Sequence, residues 1–296
     1  MKILVIVVTY NGMKWIERCL DSVVKSNTAM DLFIVDNGST DGTQEFITSN
    51  YKSIKFYQSP ENLGFGKANN LGIKYAADNN YNYVYLLNQD AWLMPDTVDE
   101  LLKAHAENPA YGILSPFQAE ANMKKLDSNF LRFTCSYESN PHIISSLFFN
   151  DRDRVYEVES VMAAHWMVSK ECFCKVGGFS STFKHYGEDD NYIHRAKYHN
   201  FKVGIVPSAV AIHDREHREY TKTKKILMGY TKSLVCCSNP YMSTIKKIGY
   251  TCAYATTAAY RSKSLKPYIN MLKVFIGWRS IMKNVRIEKE CDGAFL

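Results

Sequence analysis

A chain of 296 residues has room for one large α/β domain with a smaller appendage, or for two modest domains. Apolar residues make up 46% and charged residues 22%, a balance that excludes a disordered chain, and no fixed-period repeat or low-complexity tract interrupts it. The net charge of +6 is unevenly placed: residues 215–296 hold 16 Lys and Arg against 5 Asp and Glu, and residues 1–214 hold 20 against 25. That asymmetry divides the chain into a mildly acidic body, 1–214, and a basic, mainly helical region, 215–296, of a kind that meets phosphates.

In chain order, Ile3 to Val8 is the first apolar run, six residues and too short for a signal-peptide core or a spanning helix. Val5 to Val8 reads as a strand buried on both faces, and Met13 to Lys25 as a helix with Trp15, Ile16, Cys19, Leu20 and Val23 on one side. Leu32 to Val35 is a second strand running into the turn formers Asp36 to Gly42, followed by a helix over 44–49 and a strand over 54–57. A helix over 67–77 leads to a strand over 83–87 that ends at Asn88-Gln89-Asp90. Residues 110–160 give no clear pattern. Beyond them the pattern predicts a strand over 161–168, helices over 171–176 and 188–199, and strands over 201–206, closed by Pro207, and 210–212. Strand and helix alternating at this spacing predict a mostly parallel sheet with helices on both faces, and in such sheets ligands bind at the carboxyl ends of the strands. The eight scattered cysteines include no C-x-x-C pair, so reduced thiols in a cytoplasmic protein are expected rather than a disulfide framework.

Several side chains at those strand ends carry recognisable chemistry. Asp36 either accepts the imide N–H of a pyrimidine base or caps the turn that follows it. Asp90 is a hard oxygen ligand placed to hold Mg²⁺ or Mn²⁺ against a diphosphate, or it fixes a turn. Gly64 and Gly66 open a helix whose backbone N–H groups, with Lys67, can approach an anion, as can those of any tight turn. In Gly187-Glu188-Asp189-Asp190-Asn191, three consecutive carboxylates repel one another and raise at least one pKa, as a general base requires; a dipole-stabilised helix start is the plain reading. His213 is a candidate metal ligand or phosphate contact. The spacing His213-x-x-x-His217 lacks the glutamate of a zinc protease, and the first strand lacks the G-x-G-x-x-G of a dinucleotide-dependent oxidoreductase.

Taken together and in order, Ile6-Val7-Val8-Thr9-Tyr10-Asn11-Gly12, Val35 to Gly42, Asn62-Leu63-Gly64-Phe65-Gly66-Lys67-Ala68-Asn69-Asn70, Leu87-Asn88-Gln89-Asp90, Val176-Gly177-Gly178-Phe179 and Glu188 to Ala196 resemble the inverting glycosyltransferases of family 2. The N-L-G-F-G-x-x-N-N form is most like the rhamnosyltransferase branch that builds bacterial surface polysaccharides. The resemblance spans residues 1–215. It implies a GT-A fold, Thr9 and Asp36 at the nucleotide with Tyr10, Asn11, Gly64, Lys67, Asn88 and Gln89 around the nucleotide sugar, and Asp90 at the metal-binding end of an Asp-x-Asp position. It also implies Asp189, beside Glu188, as the base. Asn88 stands where the first aspartate of the metal motif is found in other members, and Asn191 where a second aspartate often follows the Glu-Asp pair. The implied reaction moves a sugar from a dTDP- or UDP-linked donor to a hydroxyl of a growing glycan or lipid-linked acceptor, with a catalytically inactive nucleotide-binding protein of the same fold as the alternative.

In the basic region, Met271, Val274, Phe275, Trp278, Ile281, Met282 and Val285 fall on one helical face, with Arg279, Lys283 and Arg286 on an adjoining one. That pattern fits either an interfacial helix on an anionic membrane surface or a helix packed on protein. No nucleic-acid-binding module accompanies it, so nucleic acid is not an expected partner. The expected location is cytoplasmic, with the inner face of the cell membrane as the place of any peripheral attachment.

Overall fold

The computed structural model of the protein describes residues 1–136, 140–150, 154–184, 186–215 and 221–290. Its first part follows the predicted alternation: β1 (Ile3–Thr9), α1 (Ile16–Val24), β2 (Asp31–Asp36), α2 (Thr43–Asn50), β3 (Lys55–Gln58), α3 (Phe65–Asp78) and β4 (Tyr83–Asn88). Helix α1 starts later than its apolar spacing predicts, because the backbone turns at Gly12, whose carbonyl accepts from both Trp15 N and Ile16 N at 2.9 Å. β1 lies between β2 and β4, parallel to both. Ile3, Val5 and Val7 point into a layer with Ile16, Leu20, Ile34, Ile47 and Leu101, and Leu4 and Ile6 into a second layer with Ile73, Leu86, Trp166, Phe173 and Ile193. A strand covered on both faces must be apolar at every position, which is why β1 reads as an unbroken run.

Past β4 the chain adds β5 (Ala91–Leu93), α4 (Thr97–Glu107), β6 (Tyr111–Ala119), α5 (Ser128–Phe133), α6 (Pro141–Phe148), β7 (Tyr156–Glu157), β8 (His165–Ser169), α7 (Lys170–Val176), α8 (Glu188–Tyr198) and β9 (Lys202–His213). The sheet runs β3-β2-β1-β4-β8-β6-β9-β5, with β7 paired to β9. Pairs in the first half are parallel, as is β6 with β9, whereas β8 runs antiparallel to both β4 and β6. β6 is buried at every position, yet Ser115, Pro116 and Gln118 break its apolar run, and this hid it in the sequence. Pro207 does not close a strand: β9 continues through it, with a register shift where Val206 pairs with Pro116 and Val210 with Phe117. β8 begins at His165 rather than at 161.

The basic region forms α9 (Lys222–Ser238), α10 (Thr244–Ser262), α11 (Lys266–Ile276) and α12 (Trp278–Glu290). The helix expected over 271–285 is two helices meeting at Gly277. Val274, Ile281 and Val285 are buried with Phe183, Leu234 and Cys237, and Trp278 and Met282 pack against them. Five of the seven residues of that apolar face therefore pack on protein, while Met271 and Phe275 are half-buried outside the cluster; Arg279, Lys283 and Arg286 remain exposed. Among the described residues no helix is long and apolar enough to cross a membrane. Cys19, Cys135, Cys172, Cys174, Cys236, Cys237 and Cys252 are free thiols, and Cys291 lies outside the described residues.

Candidate active site

Register alone gathers the first group of predicted residues. Thr9 pairs with Asp36 and Val8 with Asn88, so the ends of β1, β2 and β4 lie side by side. The loops leaving them are stitched together by side chains. The Gln89 carboxamide oxygen accepts from Thr9 Oγ1 (2.8 Å) and Tyr10 N (2.9 Å), while its Nε2 donates back to Tyr10 O (3.2 Å). Asn11 N donates to Ser39 Oγ (2.9 Å), and Asn11 Oδ1 accepts from Thr40 N (2.8 Å). Tyr10 and Asn11 are exposed, and Asn88 and Gln89 half-buried.

Asp36 is fully buried and already engaged. Its Oδ1 accepts from Gly38 N (3.0 Å), Ser39 N (2.9 Å) and Gln44 Nε2 (2.6 Å), and its Oδ2 from Ser39 Oγ (2.5 Å). These bonds are those of the turn-capping reading, and a base N–H reaches the carboxylate only where Ser39 or Gln44 yields. Ser39 lies within the Val35 to Gly42 motif without a role of its own assigned from sequence, and Gln44 belongs to no motif. Thr9 is likewise buried, with its hydroxyl committed to Gln89.

Asp90 and His213 meet because β5 pairs antiparallel with the end of β9, and Asp214 N donates to Asp90 O (2.8 Å). Asp90 Oδ1 lies 3.5 Å from His213 Nε2. Burial pushes the Asp90 carboxyl up, but the His213 bond and charge, with Arg215 adding, outweigh it and hold the group below its ordinary value, ionised. Arg215 lies 3.3 Å from His213 Nδ1 and from Asp127 Oδ2, at one side of a hollow of about 310 Å³ that Glu120, Asn122 and Asp214 also line. Beneath, the buried His165 bonds Tyr85 OH (3.0 Å) and Ile212 O (2.9 Å), and burial first among several influences drives its pKa down to about 3, so it stays neutral. Among the described residues no group of three His, Cys, Asp or Glu converges, and His217 lies outside them. One carboxylate and one imidazole do not make a structural zinc site, but they fit Mg²⁺ or Mn²⁺ whose remaining ligands are phosphate and water oxygens.

The carboxylates of α8 are placed by a buried clamp. Asn70 on α3 faces the backbone of Phe179: its Nδ2 donates to Phe179 O (2.9 Å) and its Oδ1 accepts from Phe179 N (2.6 Å). Arg195 on α8, almost wholly buried, donates from Nη1 and Nη2 to Gly178 O (2.7 and 2.6 Å) and from Nη2 to Val176 O (2.7 Å). Gly178 is required here, since a Cβ would sit 2.6 Å from Asn70 Cγ. Phe179 then packs among Phe65, Trp166 and Tyr192. Asn70 of the N-N pair and the G-G-F motif thus hold α3, α7 and α8 together.

The amino end of α8 reaches the loops of β2 through α3. Asn37 Nδ2 approaches Gly64 O (3.5 Å), and two residues on Gly66 lies against Phe179 and Glu188. Lys67, on the same turn, is exposed and makes no ion pair among the described residues. Gly187 caps α8 at φ 89°, a conformation costly for other residues, and a Cβ there would strike Thr231 and Val235 of α9 at 2.8 Å. Glu188 is buried and Asp189 half-buried, and Asp190 accepts from Ser160 Oγ (2.7 Å). Burial first, then the charges of Asp190 and Glu188, lift the Asp189 carboxyl well above the usual carboxylate range; the N–H groups of Asp190 and of Asp189 itself pull weakly the other way. Glu188 is raised too, again mainly by burial. Carboxylate crowding, legible in the sequence, is thus the lesser cause.

A sheet whose parallel strand ends carry polar loops, bordered by an Asp–His pair and a helix presenting a proton-avid carboxylate, is the architecture of a glycosyltransferase with the GT-A fold. Residues 4–169 match Glycosyl transferase family 2, and the chain belongs to that family. Residues 144–223 also match the N-terminal domain of galactosyltransferase. The chain is 26% identical over 234 residues, 72% of its length and 76% of the relative's, to an N-acetylglucosaminyl-diphospho-decaprenol L-rhamnosyltransferase of Mycobacterium tuberculosis. It is 21% identical over 255 residues, 83% and 79% of the two chains, to the low-salt glycan biosynthesis hexosyltransferase Agl10 of Haloferax volcanii. Among solved structures, S. aureus TarS 1-349 in complex with UDP-GlcNAc superposes with a TM-score of 0.56 at 15% identity, covering 98% of this chain and 91% of that one. The mannosyltransferase PcManGT from Pyrobaculum calidifontis, solved with GDP-Man and Mn²⁺, gives 0.57 at 16% identity, covering 99% and 88%.

Proposed function

We propose that residues 1–214 catalyse transfer of a sugar from a nucleoside-diphosphate donor to a hydroxyl of a growing surface glycan or lipid-linked oligosaccharide, with inversion at the anomeric carbon. The observation that carries this reading is Asp189: a carboxylate with raised proton affinity on the first turn of α8, a helix tied to α3 through the Gly178-Phe179 backbone that Arg195 and Asn70 both hold. Asp189 removes the acceptor proton as the acceptor oxygen attacks the anomeric carbon, and the bond to the diphosphate breaks on the opposite face. Glu188 keeps the proton affinity of its neighbour high. Tyr10, Asn11, Gly64 and Lys67 border the donor, Asn88 and Gln89 hold the loop beneath it, and Asp36 shapes the turn that receives the base. Asp90 and His213 would hold a divalent cation, whose chemistry is neutralisation of charge on the diphosphate.

The rhamnosyltransferase relative and the N-L-G-F-G motif favour dTDP-rhamnose as donor and a polyprenyl diphosphate-linked sugar as acceptor. Such an acceptor places the enzyme at the inner face of the cell membrane. The test is transfer from a panel of dTDP-, UDP- and GDP-sugars to a lipid-linked acceptor, with the product anomer read by NMR. The expected product carries the anomeric configuration opposite to the donor. A retained configuration removes Asp189 as base, and nucleotide binding without hydrolysis or transfer from any donor favours an inactive member of the fold.

A further inference from the structure

Helix α11 is apolar on two opposite faces. Pro267 and Val274 are buried and fix it to the body of the protein. Leu265, Ile269, Leu272 and Ile276, at i, i+4, i+7 and i+11, are 76%, 54%, 55% and 84% exposed. At 3.6 residues per turn these four fall within an arc of about 60°, a single stripe on the outer surface. Lys266 and Lys273, both exposed, run along one edge of the stripe, and Tyr260 stands 85% exposed just before it. The outer side of α12 offers the contrast, since its exposed positions, Arg279, Ser280, Lys283, Arg286, Lys289 and Glu290, are all polar or charged.

Folding does not require the stripe, because the opposite face already anchors the helix. Four large aliphatic side chains held in one row in water mark a surface that meets another apolar phase. Charge decides which phase. Residues 222–287 contain 13 Lys and Arg and no Asp or Glu, and just beyond them Glu290 is paired with Arg286, so the stripe belongs to a strongly basic stretch of chain that attracts an anionic surface. A second copy would bring the same net positive charge against itself. The stripe is also one helix away from the chemistry, since α11 packs on α9 and α9 supplies the Thr231 and Val235 contacts to Gly187.

We propose that α11 docks the protein on an anionic lipid bilayer, Leu265, Ile269, Leu272 and Ile276 entering the boundary between headgroups and acyl chains while Lys266 and Lys273 meet the lipid phosphates. Docking this way holds the Gly187 turn against the membrane-bound helices, with α9 and α11 between it and the bilayer. The inference rests on the exposed surface alone and does not depend on the donor or acceptor assigned above.

The test is co-sedimentation of the full chain with vesicles containing phosphatidylglycerol and with vesicles of phosphatidylcholine alone. Wild type is expected to bind the anionic vesicles preferentially, and Leu272→Asp/Ile276→Asp to lose about tenfold or more of that binding. Lys266→Glu/Lys273→Glu is expected to weaken it and to reduce its salt sensitivity, while Phe148→Asp/Phe149→Asp, at an exposed apolar pair on α6, leaves it unchanged. Leu272→Ser/Ile276→Ser, checked by circular dichroism, serves where the aspartates disturb folding. Equal binding by wild type and the stripe variants overturns the proposal. So does a wild-type dimer, seen by sedimentation velocity, that the stripe variants convert to monomer while neither binds vesicles. A protein that binds vesicles through the stripe but transfers no sugar refutes the transferase reading and leaves this one standing.

Discussion

Asn70→Asp tests the clamp that carries α8. The substitution keeps the size and shape of the side chain and the bond from Phe179 N to Oδ1. It replaces the Nδ2 donor, 2.9 Å from Phe179 O, with a second oxygen. Asn70 and Phe179 are both buried, so no solvent compensates. The carbonyl of Phe179 loses its partner, which costs about 1–3 kcal/mol, and the new carboxylate is buried with one donor and an oxygen facing it. The sum at neutral pH is a destabilisation of about 3 kcal/mol or more. Protonation restores a donor, so the folded state binds the proton more tightly than the unfolded chain. The loss is therefore largest above the raised folded pKa and shrinks as the pH falls through it. Urea unfolding followed by tryptophan fluorescence reads the change directly, because Trp166 stacks 6.3 Å from Phe179. An unfolding free energy within about 0.5 kcal/mol of wild type at neutral pH, with no change on acidification, would refute the clamp.

Asp189→Asn is expected to lower turnover by about 10²–10⁴ with little change in nucleotide affinity; near-normal turnover takes Asp189 out of the mechanism. The same variant should gain stability above the ordinary carboxylate range, since a raised folded pKa destabilises the native state there, and should match wild type below it; thermal melts across pH check this. The acid limb of kcat/KM should rise with pH through an apparent pKa above that of an ordinary carboxylate, and a limb near pH 4 counts against Asp189 as base. Asp36→Ala is expected to weaken free-nucleotide binding with or without added Mn²⁺, whereas Asp90→Ala weakens only the part that Mn²⁺ adds. Full wild-type activity in EDTA removes the cation from Asp90 and His213.

By itself the sequence determined the alternating β1–β4 half and the address of the site. A doubly covered parallel strand must be apolar throughout and must end where the turn residues begin, so Val8-Thr9, Val35-Asp36 and Leu87-Asn88 mark their own ends. The three consecutive carboxylates at Glu188 to Asp190 were equally legible, because they need no distant partner to be noticed. What covers each residue was not legible. The dominant cause of the high proton affinity of Asp189 is burial, which depends on elements packed from elsewhere in the chain. Asn70 and Phe179 are 109 residues apart, and only packing of α3 on α7 makes their bond possible. β6 escaped notice because Ser115 and Gln118 are buried polar groups satisfied or enclosed by the fold, a state no local pattern announces. Across α11 and α12 periodicity found one apolar face and left open whether it meets a membrane or packs on protein; the tertiary structure buried Val274, Ile281 and Val285 of that face and left a second, opposite face of α11 bare. Helical spacing says which side chains share a face; only the packed neighbours decide which face meets water.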